Sequence, residues 1–190
     1  MKRLALLSAG VLGAAAAAIV WIAAPSAAHT PQPYAGLQTR PIKALSDQQI
    51  ADLKAGRGMS LALAAELNGY PGPLHVLEHA DTLQLSDAQR TTVRQLFDAM
   101  KAETISIGLR LIAQEAELDR QFANRTATDA SVTAATQAIG ATQATLRAAH
   151  LRYHLATIII LTPAQTRRYI ELRGYASGAA GEHRHGEHRH

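Results

Sequence analysis

Apolar residues between positions 86 and 124 recur at intervals of three, four or seven. This spacing places them on one face of an α-helix and predicts a helix from Ser86 to about Asn124. The polar segment "NRTATD" (124–129) then predicts a turn, and a second helix continues to about Ile160. Because the turn is short, the two helices should pack as an antiparallel hairpin. The apolar positions are Val93, Phe97, Met100, Ile107, Leu111, Leu118 and Phe122 on the first helix, and Val132, Ile139, Leu146 and Tyr153 on the second.

The remainder of the chain also favours helix. Ala, Leu, Gln, Glu and Arg dominate it, and no stretch alternates apolar and polar residues for long enough to predict a strand. Gly56, Gly58 and "NGYPGP" should divide the region before residue 75 into short helices, and one more short helix should run from Thr162 to Arg173. The run "IIIL" (158–161) is interpreted as a buried helix end. The fold class is therefore all-α, an antiparallel helical hairpin of four to five helices in all, with the two long ones at its centre.

Three helix starts share one local motif, in "LSDQQ" (45–49), "LSDAQ" (85–89) and "LTPAQ" (161–165). Each has Ser or Thr, then Asp or Pro, and Gln three positions after the hydroxyl. In a capping box the hydroxyl accepts from the amide at the third helical position, and the Gln side chain accepts from the cap amide. The motif predicts three structural N-termini.

Both ends of the chain differ from its helical middle. Residues 1–28 carry Lys2 and Arg3, a long apolar run and small residues up to Ala28, which is typical of a signal peptide or an uncleaved membrane anchor. Either predicts export to the periplasm, soluble or tethered to the inner membrane. Residues 29–44 are a Pro-rich linker, 45–174 a helical domain, and 175–190 a His-rich tail expected to be disordered.

Composition excludes several kinds of site. Cysteine is absent, which excludes disulfides, thiolate metal sites and a cysteine nucleophile. Without Lys2 and Arg3, 17 of the 19 basic residues remain against 15 acidic ones, so the chain is close to neutral. No basic stripe interleaved with aromatic residues is present, and nucleic acid is set aside as a partner.

Two histidine pairs are the candidate chemistry. His75, Glu78 and His79 form H-x-x-E-H, and His150 and His154 form a second pair at i and i+4, a spacing that shares one helix face. The hairpin register puts His150 level with Met100 and Glu103. The segment 75–81 can fold back to the same level, so the pairs could share a site for Ni, Co, Cu or Zn. The alternative is that they are ordinary core or surface histidines.

Two further features leave alternatives open. H-x-x-E-H also matches an inverzincin protease motif, with Glu78 as general base. A small helical chain has no strand edge to hold a peptide, and no other catalytic motif is present, so we expect no enzyme. The tail repeats G-E-H-R-H and is either a weak ion collector or a solvated segment without a role. Its histidines are His183, His185, His188 and His190.

The blocks "AELNGYPGPLHVLEH" and "LRAAHLRYHL", together with the repeated "LSDAQ" and "LTPAQ" starts, resemble the Spy/CpxP group over about residues 45–174. That group includes the periplasmic metal-resistance proteins ZraP and CnrX. The resemblance implies a hooked four-helix hairpin, usually dimeric. Its members bind metals, sense envelope stress, or hold unfolded clients without ATP.

The resemblance also implies a ligand set. In CnrX-like sensors the ligands come from an early H-x-x-x-H, a Glu on the next long helix and an H-x-x-x-M on the helix after it. His75 and His79 match the first motif, Glu103 is the best-placed Glu, and His150 and His154 match the last with His in place of Met. Glu78, Met100 and the tail histidines are weaker candidates.

Two functions of different classes follow. The first is a periplasmic metal sensor or resistance protein, in which the ion bridges helices and alters the surface offered to an inner-membrane signalling partner. The second is an ATP-independent chaperone that binds unfolded clients on exposed apolar and basic surface. The long helix supplies such basic residues: Arg90, Arg94, Lys101 and Arg110.

Overall fold

The computed structural model describes residues 32–176, and within them every regular element is helical. This confirms the all-α prediction. Six α-helices lie within this range, because two short ones flank residues 67–72. They are α1 (Asp47–Ala55), α2 (Leu63–Glu66), α3 (Pro73–Glu78), α4 (Asp87–Ala123), α5 (Asp129–Ile160) and α6 (Pro163–Leu172), preceded by a 3-10 turn at Leu37–Thr39.

Helices α4 and α5 form the predicted long hairpin, with 37 and 32 residues. They run antiparallel, since Gln89 at the start of α4 donates to the Ile160 carbonyl at the end of α5 at 2.9 Å, and Glu103 meets Arg152 further in. The turn between them contains Arg125 in the left-handed region. Thr128 then caps α5 with Ser131, a fourth capping box that was not predicted.

All three predicted capping boxes are present. The hydroxyls of Ser46, Ser86 and Thr162 accept from the amides of Gln49, Gln89 and Gln165 at 3.1–3.2 Å. Each cap is worth about 1 kcal/mol of helix stability. Two of these glutamines also join helices, because the side chains of Gln89 and Gln165 hydrogen-bond each other at 2.9 Å. The starts of α4 and α6 are therefore fixed to one another.

The core has two apolar clusters. The first packs α1 against the hairpin, and the second packs α3 and α6 against the start of α4. Gly108 permits the first, because a Cβ there would lie 2.6 Å from the Leu53 carbonyl oxygen. The first cluster contains Ile42, Leu45, Leu53, Ile107, Leu111, Ile139, Leu146 and Ala149; the second contains Val76, Ala80, Leu83, Leu85, Val93, Leu161 and Tyr169.

Two predicted core positions are exposed. Phe122 is 59% exposed and Ile159 is 83% exposed, so the expectations for these two residues were wrong. Phe122 lies in the last turn of α4, beyond the buried part of the stripe. Successive residues of a helix point about 100° apart, so three adjacent isoleucines cannot all face the core. In "IIIL" only Leu161 is fully buried.

Within residues 32–176 no helix is both long and apolar enough to cross a membrane. The predicted signal or anchor segment, 1–28, and the histidines of the tail lie outside the described residues. Ile42, from the predicted linker 29–44, is buried in the first core cluster.

Candidate metal centre

A cavity of about 590 Å³ brings together residues from both histidine pairs. The segment around α3 folds back toward α4 and α5, so His75 lines the same cavity as Met100, His150 and His154. The level is the one that the hairpin register predicted. The cavity therefore gathers imidazole and thioether donors from α3, α4 and α5.

His150 is the most deeply buried of these donors, at 2% exposure. Its Nε2 atom has no hydrogen-bond partner among residues 32–176. Burial lowers the pKa of His150 below its usual 6.5, the neighbouring His154 lowers it further, and Glu103 partly opposes them. A depressed pKa keeps the imidazole neutral at pH 7, which is the form that binds metals.

His154 is held in one orientation by the backbone. Its Nδ1 atom lies 2.7 Å from the Tyr70 carbonyl oxygen. A carbonyl only accepts hydrogen bonds, so Nδ1 carries the proton and Nε2 of the neutral ring presents a lone pair. Gly72 makes room for the ring, because a Cβ at Gly72 would lie 2.9 Å from His154 Nε2.

Glu66 lies behind His154 and was missed by sequence reasoning. It is 6% exposed, and its Oε2 atom is 3.7 Å from His154 Nδ1 and 3.3 Å from the Gly72 amide. Its Oε1 atom accepts from the Tyr169 hydroxyl and lies 3.3 Å from Arg173 Nε. Burial, together with the Glu66 carboxylate, raises the pKa of Tyr169 well above its usual range. The available signal was one acidic residue inside the apolar segment "LALAAEL".

The first histidine pair separates. Helix α3 ends at Glu78, and His79 is its C-cap with φ −105° and ψ 15°. His75 Nδ1 bonds the Glu78 carboxylate at 2.7 Å and lines the cavity, whereas the His79 ring meets Tyr169 edge-on at 6.5 Å between centroids. Of this pair, only His75 is placed toward His150 and His154.

Glu103 is engaged outside the cavity lining. Its carboxylate pairs with Arg152 at 2.5 Å and accepts from the Tyr153 hydroxyl at 3.0 Å. Burial and this contact raise the pKa of Tyr153. The structure thus places Glu103 near the level of His150, as predicted, but gives its oxygens other partners. The tail candidates, His183, His185, His188 and His190, lie outside the described residues.

The donors share a cavity without forming a finished site. Among residues 32–176, no three side chains of His, Asp or Glu are close enough to hold one ion. The donor chemistry nevertheless fits a divalent transition metal, since imidazoles and a thioether suit Ni, Co, Cu and Zn. Of these donor atoms, Nε2 of His150 is buried and has no hydrogen-bond partner among residues 32–176.

A family model described as heavy-metal resistance matches residues 61–168, which is more than half of the chain. The match spans α2 to α6 apart from the last four residues of α6, and it includes His75, Met100, His150 and His154. No curated protein and no solved structure matches the chain. The match confirms the resemblance drawn from the "LSDAQ" and "LRAAHLRYHL" blocks. This chain belongs to the heavy-metal resistance family, which includes CnrX-like and ZraP-like proteins.

Proposed function

We propose that this protein is a periplasmic metal sensor or resistance protein that binds a divalent ion, Ni, Co, Cu or Zn, in the cavity. His150 and His154 of α5 and His75 of α3 would be the ligands, with the Met100 thioether as a further donor. The observation that carries the proposal is the buried Nε2 of His150, which has no hydrogen-bond partner in the described part of the chain. Leaving such an atom unsatisfied costs about 1–3 kcal/mol. A bound ion would remove that cost.

Binding of the ion would change the conformation of the protein if it closed the site. His75 is held on a helix of six residues and its side chain is 35% exposed, whereas His150 and His154 are buried on the long hairpin. An ion that binds all three would draw α3 toward α5. A ligand shifts a conformational equilibrium when it binds one state better than the other. Bonds from His75, His150 and His154 to the ion would favour the state in which α3 lies closer to α5.

Glu103 and His79 are left out of the proposed ligand set. Glu103 is occupied by Arg152 and Tyr153, and His79 packs beside Tyr169. Both would have to leave existing partners to bind the ion.

Export, dimerisation and signalling to an inner-membrane partner belong to this proposal as well. They are supported by the basic and apolar start of the chain and by the family, whose CnrX-like members the sequence resembles.

A calorimetric titration with each of the four ions tests the proposal. His29 and the four tail histidines would be replaced by alanine throughout, so that only the histidines of the helical domain contribute. We expect one tight site per protomer or per dimer, lost in His150→Ala and retained in His79→Ala, which removes an imidazole outside the cavity. Equal binding by the two variants would reject the site.

A chaperone role is the second candidate, and exposed apolar residues favour it. Leu155 and Ile159 are 54% and 83% exposed and lie one turn apart on α5, so they form one apolar spot. We expect suppression of client aggregation without metal, weakened in Leu155→Ser/Ile159→Ser but not in Phe122→Ser. No suppression by the unsubstituted chain would reject this role.

A further inference from the structure

The donors that are free to bind an ion in the cavity are all neutral. His150, His154 and Met100 contribute imidazole and thioether atoms, and His75 contributes a third imidazole. Among residues 32–176, the one carboxylate that lines the cavity is that of Glu66. Its two oxygens are engaged by Tyr169, Arg173 and the Gly72 amide. A divalent ion held by neutral donors keeps its full charge, and burying uncompensated charge is strongly unfavourable.

The fixed charges around the cavity are positive. Arg57, Lys101 and Arg173 line it against the single carboxylate of Glu66. Arg173 is paired with Glu66, and Arg57 lies 2.5 Å from Asp52. Lys101 has no ion-pair partner within residues 32–176. With both arginines paired, Lys101 is the lining charge left unpaired among these residues, and its ammonium group favours an anion.

The cavity is also much larger than an ion requires. Its volume is about 590 Å³, whereas one water molecule occupies about 30 Å³ of liquid. Cavities of about 300–1,000 Å³ are the size that holds small organic ligands. The cavity therefore has room for a small molecule, a positive charge on its lining and no free anionic ligand among residues 32–176.

We propose that the cavity takes its ion as a complex with a small di- or tricarboxylate chelator. Carboxylate oxygens would complete the coordination that the histidines leave open, would balance the charge of the ion, and would meet the ammonium group of Lys101. The proposal rests on the proposed function, because the histidines must first bind the metal.

Equilibrium dialysis with two labels tests this directly. The probe is citrate carrying one isotope, with the ion that binds best in the titration above carrying another. The full chain with its four tail histidines replaced by alanine would be dialysed against both, against metal alone and against citrate alone. We expect one citrate retained per bound ion, and little citrate without metal.

Lys101→Gln should weaken citrate retention about fivefold, as expected for loss of one exposed charge contact. Lys43→Gln is the matched control, because it removes the same charge at a distant point. Lys43 pairs with Asp119, which lies about 27 Å along α4 from Lys101. Retention of metal without citrate, or equal losses in the two variants, would overturn the chelate proposal and leave the proposed function standing. Retention of neither metal nor citrate would overturn both.

Discussion

The Nδ1 atom of His154 lies 2.7 Å from the carbonyl oxygen of Tyr70, with the Glu66 carboxylate behind it at 3.7 Å. This contact assigns the proton to Nδ1 and leaves on Nε2 the lone pair that could bind a metal ion. Metal-binding histidines commonly donate their second nitrogen to a carbonyl or carboxylate, which fixes their orientation. The arrangement around His154 would therefore hold the ring in place for the ion that we propose.

Glu66→Gln should weaken metal binding by about tenfold or more, because Glu66 supports the orientation of His154. It should also lower the free energy of unfolding by about 1–3 kcal/mol, since Arg173 and Tyr169 lose a charged partner. Titration calorimetry and urea unfolding measure the two effects. Glu171→Gln is the control, because Glu171 is exposed, its side chain bonds Arg168, and it does not line the cavity. Equal affinities in the two variants would contradict the role of Glu66.

Gly72→Ala should disturb the site through contact with the imidazole. The new Cβ would lie 2.9 Å from the His154 ring, so the ring or the α3 start must shift. We expect a loss of about 1–3 kcal/mol of stability, together with weaker metal binding. Gly140→Ala is the matched control, because its Cβ meets nothing within 4 Å on α5 and should stabilise the helix by up to about 1 kcal/mol. Similar behaviour of both variants would refute the contact.

The depressed pKa of His150 makes stability depend on pH with a definite sign. Above about pH 6.5, His150 is neutral in both the folded and the unfolded chain. Below it, the unfolded chain takes up a proton that the folded chain resists, so stability falls as the pH falls from 6.5 toward the folded pKa. In the chain without tail histidines, thermal unfolding at pH 7.5 and 5.0 should show a smaller loss for His150→Gln than for the unsubstituted protein. His79→Gln provides the comparison, and an unchanged loss in His150→Gln would show that His150 does not titrate this way.

Gln165→Ala should destabilise the fold more than Gln49→Ala. Both remove the second half of a capping box, but Gln165 also bonds Gln89 and the Leu83 carbonyl at 3.2 Å. We expect the free energy of unfolding to fall by about 1 kcal/mol in Gln49→Ala and by about 2 kcal/mol in Gln165→Ala, because the second variant also loses the contact with Gln89. Urea unfolding compares them. Equal losses would mean that the Gln89–Gln165 pair adds no stability.

The helix boundaries were predictable because their causes are local. In each predicted capping box the glutamine follows the hydroxyl of Ser46, Ser86 or Thr162 by three residues. Both partners of the cap are therefore visible in one short stretch of sequence. The hairpin register followed in the same way from the turn at 124–129, and it placed His150 beside Met100. Burial at helix ends was less predictable, as Phe122 and Ile159 show, because periodicity does not tell where packing stops.

The site was predictable only in part. Its histidines were found from their i, i+4 spacing. That spacing places two side chains on one face only if the helix continues through His79, and α3 ends one residue earlier. Glu66 could not be placed, because it contacts Tyr169 across 103 positions of sequence and no local pattern encodes that contact. Glu103 lies at the predicted level of the hairpin, but its carboxylate oxygens contact Arg152 and Tyr153.

The most direct test of the central claim is nuclear magnetic resonance of histidine rings labelled with ¹⁵N, during titration of zinc into the chain whose tail histidines are replaced by alanine. We predict that the Nε2 signals of His150 and His154 shift together and saturate at a fixed stoichiometry, while those of His79 stay in place. A His150 signal that does not respond to the ion would contradict a metal centre in this cavity.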